Sequence, residues 1–152
     1  MTEFCVRGAT EGDLTAIKAI EDVSFPDPWS EQTLRSMLTG SALPLAVICD
    51  GKLIGYAFIG VFGDEAEIYN IAVTPELRGK GASRILLEHV LYALESRAVR
   101  QLYLEVREHN GRAISFYKNF RFKEIGIRKN YYTDPTENAI LMLLDFNENE
   151  RQ

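Results

Sequence analysis

The sequence predicts one mixed α/β domain around a sheet that is antiparallel at its start and parallel in its middle. Three observations carry that expectation. The 152 residues are 46% hydrophobic and 26% charged, which suits a single globular domain and argues against disordered, collagenous and coiled-coil chains. Two apolar runs meet at Asp50-Gly51, a strong two-residue hairpin signal. Further on, strand, helix and strand patterns follow one another, which implies a parallel crossover.

Residues 3–8 alternate and read as a first strand. Thr10 and Asp13 form a capping-box start, followed by Leu14, Ile17, Ile20 and Val23 at helical spacing. Phe25-Pro26-Asp27-Pro28-Trp29 ends that helix, because proline cannot continue it. Ser30 caps a second short helix through Leu34, Met37 and Leu38, which stops near Gly40. Apolar runs at 45–49 and 53–62 form the hairpin, Gly63-Asp64-Glu65 marks a further turn, and a strand covers 66–73. Arg78-Gly79-Lys80-Gly81 opens a helix over 82–97 with Ile85, Leu86, Val90, Ala93 and Leu94 as its apolar face. A strand over 101–107, a helix over 111–119, a strand around 122–128 and a last strand over 139–146 complete the chain. Residues 1–146 are read as one domain and 147–152 as a polar tail expected to fray.

Composition narrows the function. Lys and Arg number 17 against 22 Asp and Glu, a net charge of −5. That balance argues against direct nucleic-acid binding, which normally needs a basic face, and suits a cationic partner. Cys5 and Cys49 have apolar neighbours and no CxxC spacing, so both are expected as small core residues in a reducing compartment. His89 and His109 have no Cys or His partner at ligand spacing, so no metal site is expected. No apolar run approaches the roughly 20 residues of a membrane span, and acidic residues stand where a secretory leader needs an apolar core. The expectation is a cytoplasmic protein without membrane contact.

Three segments carry chemistry. After Asn70-Ile71-Ala72-Val73, the glycine turn at 78–81 leads from a strand into a helix. Unpaired N–H groups at a helix start favour a phosphate or pyrophosphate, and Arg78, Lys80 and Arg84 add positive charge. The turn is neither a Walker loop nor a GxGxxG motif, and taken alone it is equally an ordinary strand-to-helix turn. In Leu102-Tyr103-Leu104-Glu105-Val106-Arg107, Tyr103, Glu105 and Arg107 share one face. A covered central strand is normally apolar throughout, so Glu105 and Arg107 either line a cleft or form ion pairs. The third segment holds Asn110 and an aromatic stripe of Phe116, Tyr117, Phe120 and Phe122, which reads on its own as core packing.

In this order and spacing, these segments resemble the GNAT superfamily of acetyl-CoA-dependent N-acetyltransferases over essentially the whole chain. Phe25-Pro26, Pro28-Trp29-Ser30, Arg128-Lys129-Asn130-Tyr131-Tyr132 and Asp134-Pro135 look closest to its branch that acetylates the N-terminal alanine of a ribosomal small-subunit protein. The resemblance implies a GNAT-type fold, acetyl-CoA as cofactor and the basic N-terminus of a ribosomal protein as partner, in a monomer or weak dimer. It implies Glu105 as general base, acting through water, and Tyr117 as general acid. Ile71, Ala72 and Val73 would align the cofactor's pantetheine arm, with the Val73 N–H on the thioester oxygen. Arg78, Gly79, Lys80, Gly81, Ala82 and Ser83 would hold the pyrophosphate, and Asn110 and Tyr117 would also touch the cofactor. Trp29, Tyr131 and Tyr132 would contact substrate, although Trp29 serves equally as a hydrophobic staple between two helices. Three places depart from the family pattern. Ser83 replaces Gly or Ala with its N–H intact, Phe120 and Arg121 stand where many relatives carry Leu and Gly, which is expected to tilt the turn there, and Asp27-Pro28 looks inserted in the Trp29 loop, which is expected to alter the substrate rim. Acetyl transfer to a small amine or an internal lysine, or non-catalytic acyl-CoA binding, are the competing readings.

Overall fold

A computed structural model describes residues 3–147; residues 148–152 of the expected tail lie outside the described residues. The chain forms strands β1 (Cys5–Gly8), β2 (Leu43–Cys49), β3 (Lys52–Phe62), β4 (Glu65–Val73), β5 (Gln101–Arg107), β6 (Lys123–Tyr132) and β7 (Glu137–Asp145). Helices are α1 (Leu14–Ser24), α2 (Glu31–Thr39), α3 (Ala82–Ser96) and α4 (Gly111–Asn119). The mixed α/β expectation holds: one seven-stranded sheet has the order β1-β2-β3-β4-β5-β7-β6. The first four strands are antiparallel, β4 and β5 are parallel, and β7 runs antiparallel between β5 and β6.

Local chemistry places most element ends. Asp13 accepts from the Thr10 N–H at 2.9 Å and pairs through both oxygens with Arg7 at 2.8 and 2.9 Å, fixing the start of α1. Ser30 accepts from the Thr33 N–H and caps α2. Asp50 and Gly51 both take positive φ, at 51° and 77°, as a type I′ hairpin turn requires. The core has two layers. Tyr56 and Phe58 meet Ile17, Ile20 and Leu34 of α1 and α2 on one face, and Ala57 and Ile59 meet Leu86, Val90 and Leu94 of α3 on the other. Buried on both sides, β3 is a continuous apolar run.

Some local expectations differ. Cys5 is exposed on edge strand β1, and Cys49 alone is buried. Val23 is 64% exposed, because the buried face of α1 runs through Leu14, Ile17, Ile20 and Glu21, and two residues beyond Glu21 the helical pitch points outward. Leu87 is buried on α3, whereas Ile85 and Ala93 sit at the margin of its contact. Strand β6 continues to Tyr132, pairing there with Glu137 of β7.

Pairing between β4 and β5 sets up the site. Only Glu65, Ala66 and Glu67 pair with Gln101, Leu102 and Tyr103. The β3–β4 register then shifts, so that Tyr69 is an extra residue on β4, a bulge that bends the strand. Beyond it β4 runs on to Val73 and β5 to Arg107 without pairing each other.

The Arg7 hydrogen bonds hold Asp13 below its ordinary value of 3.8. A carboxylate lowered in the folded state contributes stability that is present above its unfolded value and lost as pH falls through the folded one. Asp13→Asn is therefore expected to unfold at lower urea than the parent protein at pH 7, with the gap narrowing as pH falls below the ordinary carboxylate value of 3.8, as followed by circular dichroism.

Candidate active site

Two cavities flank the divergence of β4 and β5. The larger, about 460 Å³, is walled by Ile71, Ala72 and Val73, by the 78–83 turn and by α4. Thr74 N–H bonds the Ile54 carbonyl of β3 at 2.7 Å. Alternation along an antiparallel ladder then turns the Ile71 and Val73 peptide groups toward β5 and those of Ala72 toward β3. At the turn, Gly79 and Gly81 adopt φ of 77° and 98°, positions where a side chain would strain the backbone. Gly81 caps α3 with no side-chain hydrogen bond, so the helix's first N–H groups face the cavity beside Ser83 and Arg84. The Arg112 guanidinium closes over the turn, 3.3 Å from where a Gly79 Cβ would lie. This basic, backbone-rich wall suits a pyrophosphate, and the Ile71–Val73 edge suits an extended chain attached to it.

The remaining residues on the cofactor side take varied positions. Arg78 lines the cavity but directs its guanidinium to the Val73 carbonyl at 3.0 Å and the Ser24 hydroxyl at 3.1 Å. Two of its five N–H donors thus brace the wall while the side chain still lines the cavity. Lys80 is exposed and Ala82 is buried behind the turn, and neither lines the cavity. Asn110 lines it while its Oδ1 caps α4 through the Ala113 N–H at 3.2 Å, which leaves its amide NH2 for a ligand.

Tyr117 projects into the same cavity from α4 and is 7% exposed. Helix α4 ends in a Schellman motif: Phe122 N–H bonds the Tyr117 carbonyl at 3.1 Å and Arg121 N–H bonds Lys118 at 2.9 Å. Arg121 takes φ of 72°, so the turn keeps its left-handed form without glycine. The motif presses Phe122 edge-on against the Tyr117 ring, with centroids 5.4 Å apart. Burial, then Tyr132, pushes the Tyr117 phenol well above its usual range.

Glu105 lines the second cavity, about 320 Å³, on the opposite side of the sheet with Glu67, Tyr103, Ile125 and Arg128. The expected face of β5 is therefore correct: Leu102, Leu104 and Val106 are buried, and Tyr103, Glu105 and Arg107 face the open side. Arg128 Nε lies 3.4 Å from Glu105 Oε1, and Glu105 Oε2 is buried without a hydrogen-bond partner. Glu67 is raised by burial, then by Glu105. Tyr132 bridges the two sides. Its phenol is pushed up to about 12 by burial, then by Glu105 and Tyr131, and it in turn raises Tyr117. Tyr131 packs on Tyr132 at 5.1 Å and under Arg128. Trp29 lines neither cavity; its indole stacks on Phe58 at 6.4 Å.

Sequence reasoning did not single out Glu67, Arg112 or Arg128 as site residues. The alternation of Glu65, Ala66, Glu67 and Ile68 held a signal for Glu67, with two carboxylates facing one way on an inner strand. Arg107 does form ion pairs: it meets Glu137 at 3.1 Å, bonds the Thr133 and Pro135 carbonyls, and lies over the Tyr132 ring. Among the described residues, no three His, Cys, Asp or Glu side chains gather as metal ligands, and no helix is long and apolar enough to cross a membrane.

Comparison with known proteins agrees with this fold. The model of the acetyltransferase (GNAT) family matches residues 14–122. The chain is 42% identical over 134 residues to the ribosomal protein bS18-alanine N-acetyltransferase of Escherichia coli strain K12, covering 87% of this chain and 90% of that protein. It is 41% identical over 136 residues to the Salmonella typhimurium protein of the same name, with the same coverages. The crystal structure of the ribosomal-protein-S18-alanine N-acetyltransferase from Escherichia coli superposes with a TM-score of 0.89 at 39% identity, covering 95% of this chain and 94% of that one.

Arg107 holds the β6–β7 turn at four points. Arg107→Ala is expected to speed amide hydrogen exchange across residues 130–138 by roughly tenfold through local opening. Exchange in α3 should stay as it was.

Proposed function

The chain belongs to the acetyltransferase (GNAT) family, and from that premise we propose that it moves the acetyl group of acetyl-CoA onto the α-amino group of a protein N-terminus. The acceptor in this reading is the N-terminal alanine of a ribosomal small-subunit protein. The substrate is suggested by the bS18-alanine acetyltransferases it resembles at 42% and 41% identity. The observation that carries the chemistry is the separation of Tyr117 and Glu105 into cavities on opposite sides of the divergent strands, with Tyr132 coupled to both.

Acetyl-CoA supplies an acetyl thioester when bound. The turn N–H groups at 79–83, with Arg78, Arg84 and Arg112, would hold its pyrophosphate. The Ile71 and Val73 peptide groups facing β5 would hold its arm, and the Val73 N–H would polarise the carbonyl oxygen. With both substrates held together, direct attack by the amine needs no covalent enzyme intermediate. An α-amino group with a pKa of about 7.7–8.0 is partly neutral at pH 7, whereas a lysine at about 10.4 is far less so. Modest base assistance therefore suffices. Glu105 receives the amine proton through a water, its uncompensated Oε2 providing the acceptor. Tyr117, kept protonated by burial, would donate its hydroxyl proton to the thiolate released as the C–S bond breaks and the C–N bond forms, and would recover a proton from solvent afterwards. The second cavity carries Glu67 and Glu105 against Arg128, a net negative wall that suits a basic peptide. That peptide chemistry favours a cytoplasmic setting beside the ribosome.

Thiol release is the assay, with three acceptors: a short peptide beginning Ala-Arg, its N-terminally blocked copy with an internal lysine, and spermidine. Turnover confined to the free alanine peptide is the expected outcome. Turnover on the lysine peptide or spermidine instead would replace the proposed substrate while keeping the family. Glu105→Gln and Tyr117→Phe are each expected to lower kcat by about 10²–10⁴-fold while acetyl-CoA binding, read by calorimetry, persists. Unchanged kcat in both would remove these roles.

A further inference from the structure

Glu21 is the one charged side chain that is fully buried among the described residues, at 1% exposure. A carboxylate taken from water costs several kcal/mol unless hydrogen bonds replace the lost hydration. Here three donors from three elements do so. The Trp29 backbone N–H donates to Oε2 at 2.9 Å, Asn70 Nδ2 of β4 donates to Oε1 at 2.6 Å, and the Tyr56 hydroxyl of β3 also donates to Oε1. One turn earlier on α1, Lys18 donates from Nζ to the Trp29 carbonyl at 3.0 Å. Both backbone polar groups of Trp29 are therefore gripped from α1, one by an anion and the other by a cation. Its ring is held against Phe58 as well.

An apolar side chain of similar volume would avoid burying a charge, but it would strand the Trp29 N–H, the Tyr56 hydroxyl and the Asn70 amide without an acceptor. The carboxylate makes sense through what it grips. The connector over 25–30 reaches across to the β6–β7 turn, where the Thr133 hydroxyl donates to Asp27 at 3.3 Å, beside the Tyr131 and Tyr132 pair. Its other end, Ser24 and Phe25, lines the larger cavity and has a separate tether, from Arg78 to the Ser24 hydroxyl at 3.1 Å. Loosening Glu21 should therefore be felt chiefly at the acceptor entrance.

We infer that Glu21 is a positioning residue for the acceptor: with Lys18 it latches the 25–30 connector to α1 and β4 and so fixes one wall of the acceptor entrance. This rests on the acetyl-transfer reading above. Glu21→Leu removes the latch at similar volume. Glu21→Gln keeps an oxygen for the Trp29 N–H, while the Tyr56 hydroxyl and the Asn70 amide can turn to accept from its NH2. Steady-state kinetics on the alanine peptide should show acceptor KM raised about tenfold in Glu21→Leu, the scale of one lost charged hydrogen bond, with acetyl-CoA KM unmoved. Glu21→Gln should restore acceptor KM to near the parent value. Lys18→Ala, which alters a partly exposed residue and keeps the test alive if Glu21→Leu does not fold, should raise it about threefold. A purely structural role predicts a smaller active fraction with both KM values intact. That result, equal rises in both KM values, or an unmoved acceptor KM in Lys18→Ala and in the Glu21 variant that folds, would overturn the inference. Absence of parent-protein turnover on any free α-amine peptide is a different result, and it would overturn the acetyl-transfer reading together with this one.

Discussion

Everything at the site depends on the brevity of the β4–β5 ladder. Three paired residues join the two halves of the sheet, enough to hold them in one core but not to close the strands along their length. The Tyr69 bulge starts the divergence, and Gly60 on the neighbouring strand makes room for it. A Cβ at Gly60 would lie 2.2 Å from the Tyr69 hydroxyl oxygen, so that ring lies flat where any side chain would stand. Past the bulge, the Ile71 and Val73 peptide groups face a partner strand that has moved away. A strand edge walling a cavity offers unpaired backbone groups, and under the proposed function an extended ligand arm would complete it.

The same divergence separates opposite electrostatic fields. A net charge of −5 says little about either cavity. Helix starts and helix-borne arginines gather on the α3–α4 side, at Arg84 and Arg112. Strand-borne carboxylates gather on the other, at Glu67 and Glu105. Each field is set by the charges that line its own cavity, because Coulomb interaction falls with distance and those groups stand nearest any ligand there. An anionic cofactor and a cationic acceptor can thus approach the same strands from opposite sides without competing. Tyr132 is the exception, because its phenol senses both sides.

What the sequence disclosed follows how local each signal was. The Asp50-Gly51 turn, the Ser30 cap, the Thr10–Asp13 box and the bounds of β5 and α4 depend on a few adjacent residues, and all are found in place. Glu105 was legible because strand alternation alone sets which way it faces. Glu67 shared that signal through the alternation at 65–68, whereas Arg112 and Arg128 come to line the cavities only through contacts between distant elements, which no local period records. Glu21 looked like an ordinary polar residue of a helix beginning with good caps, and its burial comes from Tyr56 and Asn70, 35 and 49 positions further along. Cys5 failed for a related reason: its neighbours are apolar, but β1 lies on the sheet edge, and edge position is a property of the whole topology.

Arg121 shows how a departure from a family's pattern can leave the site undisturbed. A left-handed residue other than glycine costs roughly 1–2 kcal/mol, which is why glycine is common after a helix. The Schellman motif is defined by its backbone hydrogen bonds, however, and both are present behind α4. Its hydrophobic contact is the more consequential part here, because the residue pressed by Phe122 is Tyr117. The strain at Arg121 is local and exposed, while Phe122 is 2% exposed and locked in the core. Packing of that aromatic pair therefore outweighs the backbone preference at the turn, and the phenol's aim into the larger cavity is set by core burial rather than by the identity of the capping residue.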